Sequence, residues 1–552
     1  MKKLIIVFGL LFLLSIPAIK SLLPPGGYTS HDLTHHIVRQ IDMDKLLREG
    51  RFPPRWSGDL NQGYGYPLFL FNYSTPAFVG EVFHKLGLDF VESVKGVLLL
   101  SLLISVIGMY LFLDSLFPKN KIASFLGAIF YLYAPVRFLN VYVSADIGSA
   151  LAQGLLPYVF WAIVKVGEKK KWAVLVGSLF LALLITSHNI TTLMFTPVIL
   201  IFSMVLIYMS KEKLALFKNL ALIAILGFGL AAFFWIPAVY EIKYINYNQT
   251  LGTFWINQFP SLWQTIHSAW GYGLSHPEQN NQGGISFQIG LAHIFVIFAL
   301  TGTMFIFRKK KELLAWGIFV IGIFFISVFL QLRISTPVWA HLPLLYLVQF
   351  PSRFMAISVF VACIAAALLV KYLPFKKIVF VLLLALVLYA NRNHLNVNQK
   401  FAPGMAYYLA IKDTTTSANE HSPKWAYIPQ SLSPGKLIFL KGSGNIKILE
   451  NKSAKVAAEI NVQSDSTLRF NQFYFPGWVL KDNGKPIQFS YTGGGDSHGL
   501  PVFTLTKGSH TFEADFTDTL DRKVADTISL MSLGVLGYLL IQILIDLRSK
   551  NA

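Results

Sequence analysis

The sequence predicts an α-helical multi-pass membrane protein of about twelve transmembrane helices, with a β-sandwich-like domain on the outer side of the membrane. Three observations predict it. The 552 residues are 54% hydrophobic and only 14% charged, with a mean hydropathy of +0.54, whereas soluble proteins carry about 25% charged residues. Apolar runs long enough to cross roughly 30 Å of hydrocarbon recur along the chain. Lysine and arginine collect at the ends of those runs, on one side of the membrane if the runs alternate in direction.

The runs fall near residues 4–23, 95–117, 121–137, 148–166, 172–188, 190–209, 215–237, 286–307, 313–332, 354–372, 377–391 and 524–546. Starting from a cytoplasmic amino terminus, alternation places Lys2-Lys3, Lys119 and Lys121, Lys169 to Lys171, Lys211 and Lys213, Arg308 to Lys311, Lys376-Lys377, Arg548 and Lys550 inside. The net charge of +19 is therefore topological, and no nucleic-acid partner is expected. The single cysteine, Cys363, lies in a span, which excludes an internal disulfide and a thiolate metal site. The first run follows Met1-Lys2-Lys3 as a signal peptide would. It is longer than a usual signal core and no A-x-A-like site follows, so a retained anchor is expected.

This topology divides the chain into a membrane module over 1–391, an outer β domain over 392–523, and a last span with a cytoplasmic tail over 524–552. Four segments lie outside. Residues 24–94 are too long and patterned for a passive connector. A short turn covers 137–147. Residues 238–285 carry Trp255, Trp263 and Trp270, which suit the headgroup zone, and end in a loose 277–284 stretch. In 392–523, short runs at 436–440, 454–462, 467–473 and 502–505 alternate with Gly, Asn, Asp and Ser clusters, the pattern of antiparallel strands.

The candidate chemistry starts in the first outer segment. A helix over 30–48 capped by Ser30 sets Asp32 and His36 on one face, and His31 and His35 on another. A carboxylate beside an imidazole can take a proton from a hydroxyl nucleophile. Asp32 could equally stabilise a helix amino terminus, or with two histidines hold a divalent cation, though no further ligand motif is visible. Arg137 and Arg353 stand at outer ends of spans, where the positive-inside rule leaves arginine scarce. Such a guanidinium can grip a phosphate, anchor the interface, or pair with Asp146. His188-Asn189 ends a span on the same side, as a helix terminator or as a site element.

The outer Gly-Gly-Tyr with Asp32 and His36 is followed by Gly50-Arg51-Phe52-Pro53 and Trp56, Gly63-Tyr64-Gly65-Tyr66-Pro67, and Tyr73 with Pro76. Together they resemble the GT-C class of glycosyltransferases, and more closely the bacterial membrane proteins named 6-pyruvoyl-tetrahydropterin synthase-related. The stretch from Tyr131 to Asn140, Ser187-His188-Asn189-Ile190-Thr191 and Gln349-Phe350-Pro351-Ser352-Arg353-Phe354 are similar to later motifs of that family. Tyr474-Phe475-Pro476-Gly477-Trp478 and Asp482-Asn483-Gly484-Lys485-Pro486 resemble the outer β domain of related enzymes of Gram-positive bacteria. Two departures stand out: Asp146 where glutamate is usual, and Ser144 where arginine often precedes it.

The resemblance implies transfer of a sugar from a polyprenyl-phosphate donor to an envelope glycan, lipid or protein acceptor, with inversion. Asp32 would be the base, Arg353 and Arg137 would hold the lipid phosphate, and His36 would orient Asp32 or touch the acceptor. Asp146, His188 and Asn189 would complete the substrate site. No cofactor is required by this reading, and a divalent cation stays open. The competing classes are a transporter or flippase, and a non-catalytic scaffold that binds envelope glycan.

Overall fold

The computed structural model describes residues 2–277, 283–493, 495 and 497–551. Most of the loose 277–284 stretch thus lies outside the described residues. Among those described, nine helices are long and apolar enough to cross a membrane. A tenth span is broken, Lys121–Leu132 and Pro135–Val143 meeting at 45°. The expected straight run over 121–137 fails at Pro135, which disfavours helical backbone before it: Ala134 is extended (φ −70°, ψ 135°). Two further expected spans are shorter than read from sequence: Trp172–Ser187 and Leu291–Ile306 have 16 residues each. That length reaches about 24 Å at 1.5 Å per residue, less than the hydrocarbon thickness. The expected 215–237 span divides into Lys213–Leu230 and Ala232–Glu241.

Helix Pro351–Tyr372 forms the axis of the bundle, 94% of its apolar window being buried, and Ile147–Gly167 beside it is 89% buried. Small residues permit this crowding. Gly127 faces the Cys363 carbonyl, Gly154 faces the Ser101 carbonyl, and Ala362, Ala365, Ala366 and Ala367 are wholly enclosed. The last helix, Leu520–Asn551, lies at the rim, and its apolar window is 6% buried.

A two-residue ladder of β1 (Gly27–Tyr28) with β2 (Lys400–Phe401) ties the first long loop to the segment after the membrane module. The β domain follows as two antiparallel sheets. One has five strands in the order β4 (Gly444–Lys452), β5 (Lys455–Val462), β10 (Gly508–Phe516), β7 (Trp478–Asp482) and β8 (Lys485–Pro486). The other runs β3 (Leu437–Lys441), β6 (Ser466–Phe470), β9 (Val502–Leu505). Alternate residues point inward from both, among them Val456, Ala458 and Ile460 facing Leu468, Phe470 and Phe503 in one apolar core. That is a sandwich. The four runs read from sequence cover β3, β5, β6 and β9 and leave out β4, β7, β8 and β10; of these β4 is mostly exposed.

The first long loop belongs to that core. Trp56, Tyr64, Leu70 and Phe71 join it. The Trp56 Nε1–H donates to Gln472 Oε1 at 3.0 Å, and Gln472 Nε2 donates to the Gly63 carbonyl at 2.7 Å. Gly65, at φ +71°, has no room for a side chain: a Cβ would stand 2.6 Å from Gln472 Oε1. Of the three tryptophans expected in the headgroup zone, Trp263 is exposed, but Trp255 stacks on Trp339 at 5.5 Å and Trp270 on His394 at 4.2 Å.

Ion pairs tie the rim helix to helix Ala232–Glu241 and to the first loop, and a hydrogen bond ties it to the sandwich. Arg522 is wholly buried, pairs with Glu241 at 3.0 Å and donates to the Pro476 carbonyl at 2.7 Å. Arg55 of the first loop reaches Asp518 and Asp526, both at 2.8 Å. Removing one member of a buried pair strands the other charge, at a cost of about 3–5 kcal/mol. Glu241→Ala is expected to lower the melting temperature and to raise amide exchange at 477–478 and 517–523, whereas Lys447→Ala, on an exposed pair, leaves both unchanged.

Candidate functional site

The site assembles where four helices begin on one face. Ser30 Oγ accepts the Leu33 N–H at 3.2 Å and so starts helix Leu33–Arg48, leaving Asp32 at the boundary. The Asp32 N–H donates to the Ser144 carbonyl at 2.9 Å and the His31 N–H to the Val143 carbonyl at 3.2 Å. These two bonds hook the first loop onto the turn that ends in Asp146. Asp146 caps helix Ile147–Gly167, its Oδ1 accepting the Ser149 N–H at 3.0 Å and its Oδ2 the Ser149 hydroxyl at 2.5 Å. His188 caps helix Asn189–Met209, its Nδ1 accepting the Thr191 N–H at 3.1 Å. Arg353 ends the short turn Pro351–Phe354 that leads into helix Met355–Tyr372.

Tyr73 holds these pieces together. Its hydroxyl donates to Asp146 Oδ1 at 3.2 Å, and its ring lies 5.4 Å from that of His188 and 6.3 Å from that of His36. Gly148 is required beneath it, since a Cβ there would overlap the ring.

Asp32 is partly open to solvent, and among the described residues its carboxylate receives no hydrogen bond. Desolvation first, then the neighbouring Asp146 charge, push its carboxyl up to about 6, against the pull of Arg39, His31 and Arg353. Such a group is ionised at neutral pH and still basic enough to accept a proton. Desolvation works against Asp146 too, but His188, both Ser149 hydrogen bonds and Arg353 outweigh it and hold Asp146 below the usual carboxylate range. Two neighbouring carboxyls are thus driven apart, the arrangement that separates a base from a permanent anion. Burial keeps His188 down at about 4 and His36 well below its ordinary value, so both rings are neutral. Among the described residues the buried His36 Nε2 has no hydrogen-bond partner.

The arginines differ in what they leave free. Arg353 Nη1 donates to the Val348 carbonyl at 2.9 Å and to Gln349 Oε1 at 3.2 Å. No hydrogen bond engages its Nη2 and Nε among the described residues. Arg137, expected beside it, is not brought to this cluster. Its guanidinium is 1% exposed and turned into the bundle, donating to the Ala150 carbonyl and Gln153 Oε1 at 3.2 Å each and to the Ser101 carbonyl at 3.0 Å. The break at Pro135 redirects it: the chain re-enters the protein instead of ending at the interface. Asn189 also lies apart, exposed, with Oδ1 accepting the Ile190 N–H at 3.0 Å.

Sequence reasoning left out Arg39. Its Nε donates to Thr415 Oγ1 at 3.1 Å, its Nη1 to Asn72 Oδ1 at 3.2 Å and its Nη2 to the Thr415 carbonyl. It stands seven residues after Asp32, two helical turns on the same side, and that spacing was available to find it. As for a divalent cation, no three His, Cys, Asp or Glu side chains stand close enough to ligate one among the described residues. Asp146 already has both oxygens occupied.

The bundle of spans with a titratable cluster at one face defines an integral membrane protein. The profile of one membrane protein family, described by a 6-pyruvoyl-tetrahydropterin synthase related domain, matches residues 75–398, and the chain belongs to that family. Asp146, His188 and Arg353 lie within the match, whereas Asp32, His36 and Arg39 precede it. A protein of Lactococcus lactis subsp. cremoris (strain MG1363), named only as uncharacterized, is 23% identical over 260 residues, 44% of this chain and 41% of that protein. Among solved structures the chain is similar to the arabinofuranosyltransferase AftD from Mycobacteria, with a TM-score of 0.43 and 15% identity over 74% of this chain and 28% of that one. The matched regions thus span under half of the Lactococcus protein and under a third of AftD.

Asp32 titrates above its unfolded value of about 3.9, so its ionised form costs stability above about pH 6. That cost fades as the pH falls toward the unfolded value. Asp32→Asn is therefore expected to melt at a higher temperature than wild type at about pH 8, with the gap closing by about pH 4. Thermal unfolding of both proteins across that range checks it.

Proposed function

We propose that this protein is a membrane glycosyltransferase that moves a sugar from a polyprenyl-phosphate donor to an acceptor hydroxyl outside the cytoplasm, with inversion. The observation that carries the reading is Asp32: a solvent-reachable carboxyl without a hydrogen-bond partner among the described residues, titrating near 6, beside a guanidinium with open donors. The site also lies where helix amino termini gather, an environment that favours a phosphate.

In this mechanism Asp32 accepts the proton of the acceptor hydroxyl. The freed oxygen attacks the anomeric carbon as the bond from that carbon to the phosphate oxygen breaks, and the polyprenyl phosphate leaves with the electron pair. Arg353 meets the charge that grows on the leaving phosphate. Asp146, His188 and Tyr73 are positioning residues; the Asp146 charge keeps Asp32 basic. His36 lines the acceptor side as a neutral ring. Arg137 takes no part, since it is buried and its Nη1 and Nη2 donate to acceptors inside the bundle. The β domain, spanning 392–523, flanks the acceptor entrance. The acceptor is an envelope glycan, lipid or protein.

The test uses full-length protein in lipid with radiolabelled polyprenyl-phosphate sugars. Wild type is expected to transfer label, and Asp32→Asn to lose about 10²–10⁴-fold in rate while eluting from size exclusion as wild type does. Transfer that survives in Asp32→Asn removes Asp32 from the chemistry, and retention of anomeric configuration in the product overturns direct displacement. Asp146→Asn removes the like charge that raises Asp32. It is expected to shift the acidic limb of the rate profile below about pH 6, as rates between pH 4 and pH 8 would reveal.

A further inference from the structure

Three helices connect the candidate site to the opposite face of the bundle. Ile147–Gly167, Trp172–Ser187 and Asn189–Met209 each have one end at Asp146 or His188. Their other ends, at Gly167, Lys171 and Ser210, line a cavity of about 760 Å³. Helices of these lengths put roughly 24–32 Å between the two places. The cavity is closed by Lys213–Leu230 and by the carboxy-terminal part of the rim helix.

Its chemistry is two-sided. The mouth carries Lys169, Lys170, Lys171 and Lys211 against two carboxylates, Glu212 and Asp546. Lys169 pairs with Glu212 at 2.6 Å, and Lys171 pairs with Asp546. The ammonium groups of Lys170 and Lys211 have no ion pair or hydrogen bond among the described residues, so the mouth keeps a surplus of positive charge. The wall behind is apolar, with Val174, Leu216, Leu222 and Leu539. The rim helix that forms one side is almost unburied in its apolar window, so lipid borders that side of the cavity. Basic clusters elsewhere need only the positive-inside rule. Here four helices build a cationic mouth continuous with an apolar wall.

We propose that this cavity binds the headgroup of an anionic phospholipid, its phosphate between Lys170 and Lys211 and its acyl chains along Leu216 and Leu539. A free phosphate would gain from the lysines but nothing from the wall, and a neutral phospholipid would gain from the wall but leave the surplus charge unmatched. Basic pockets between transmembrane helices hold anionic headgroups in this manner. The site is independent of the proposed transferase chemistry, since it shares no residue with it.

The test is native mass spectrometry of the full-length protein in neutral detergent, titrated with phosphatidylglycerol or phosphatidylcholine. Wild type is expected to hold one phosphatidylglycerol in preference to phosphatidylcholine. Lys170→Gln/Lys211→Gln should bind it roughly thirtyfold more weakly, each surface lysine contributing about a factor of five to six. Lys309→Gln/Lys310→Gln, in another basic cluster, should bind as wild type does. Equal retention of both lipids by wild type, or equal loss in the two double variants, overturns the proposal in favour of a general basic belt. Displacement of the lipid by millimolar inorganic phosphate overturns it in favour of a free-anion site. The comparison of lipids on wild type decides the matter even if a variant fails to fold.

Discussion

A helix that ends near the hydrocarbon must find partners for its last backbone groups, and much of this structure follows from that constraint. At the candidate site the partners are side chains with chemistry of their own. Asp146 and His188 each accept the backbone N–H of the third residue beyond them, and the backbone of Asp32 is held by the carbonyl of Ser144. Capping and site construction are therefore the same set of bonds. The groups that terminate helices are brought within electrostatic reach of one another, with Arg353 among them.

The same economy explains why the first loop is so rigidly patterned. Between Arg55 and Phe71 it satisfies the sandwich on one side and the helices on the other. Trp56 bonds Gln472, the Tyr64 carbonyl accepts the Phe473 N–H at 2.8 Å, and Tyr66 bonds the backbone of Thr414. The β domain is thus not an appendage on a linker. It braces helix Leu33–Arg48 from above, and through Thr415 it occupies the Arg39 guanidinium. The ion pairs of Arg522 and Arg55 fix the rim helix to this unit, so the last span returns to the bundle already attached to the sandwich.

Electrostatics then sorts residues of the same type into different roles. Asp32 and Asp146 are neighbouring carboxyls, yet only Asp146 has hydrogen-bond donors on both oxygens, so the charge settles there and Asp32 is raised. Among the described residues Arg353 keeps donors free, Arg39 uses one from each nitrogen on the β domain and the first loop, and Arg137 gives Nη1 and Nη2 to two backbone carbonyls and Gln153 inside the bundle. The type of residue predicts none of this. The count of competing partners around each does.

The sequence by itself determined the class of protein, the approximate spans, the position of the sandwich and the acidic loop at Asp32, because burial of apolar surface and strand alternation are properties of short stretches. A helix after Ser30 was legible for the same reason, although it begins at Leu33 with Asp32 at its N-cap rather than at Ser30. Tertiary structure alone decided the rest. Whether a 16-residue helix spans, whether a proline breaks a span, and whether Trp255 faces lipid or protein depend on neighbours far away in the chain. Arg137 is the plainest case. From its surroundings in sequence it belongs at an interface, but three acceptors contributed by two other helices draw it inward. Hydrogen bonds of that kind join residues whose separation in sequence carries no signal, so only the folded chain records them.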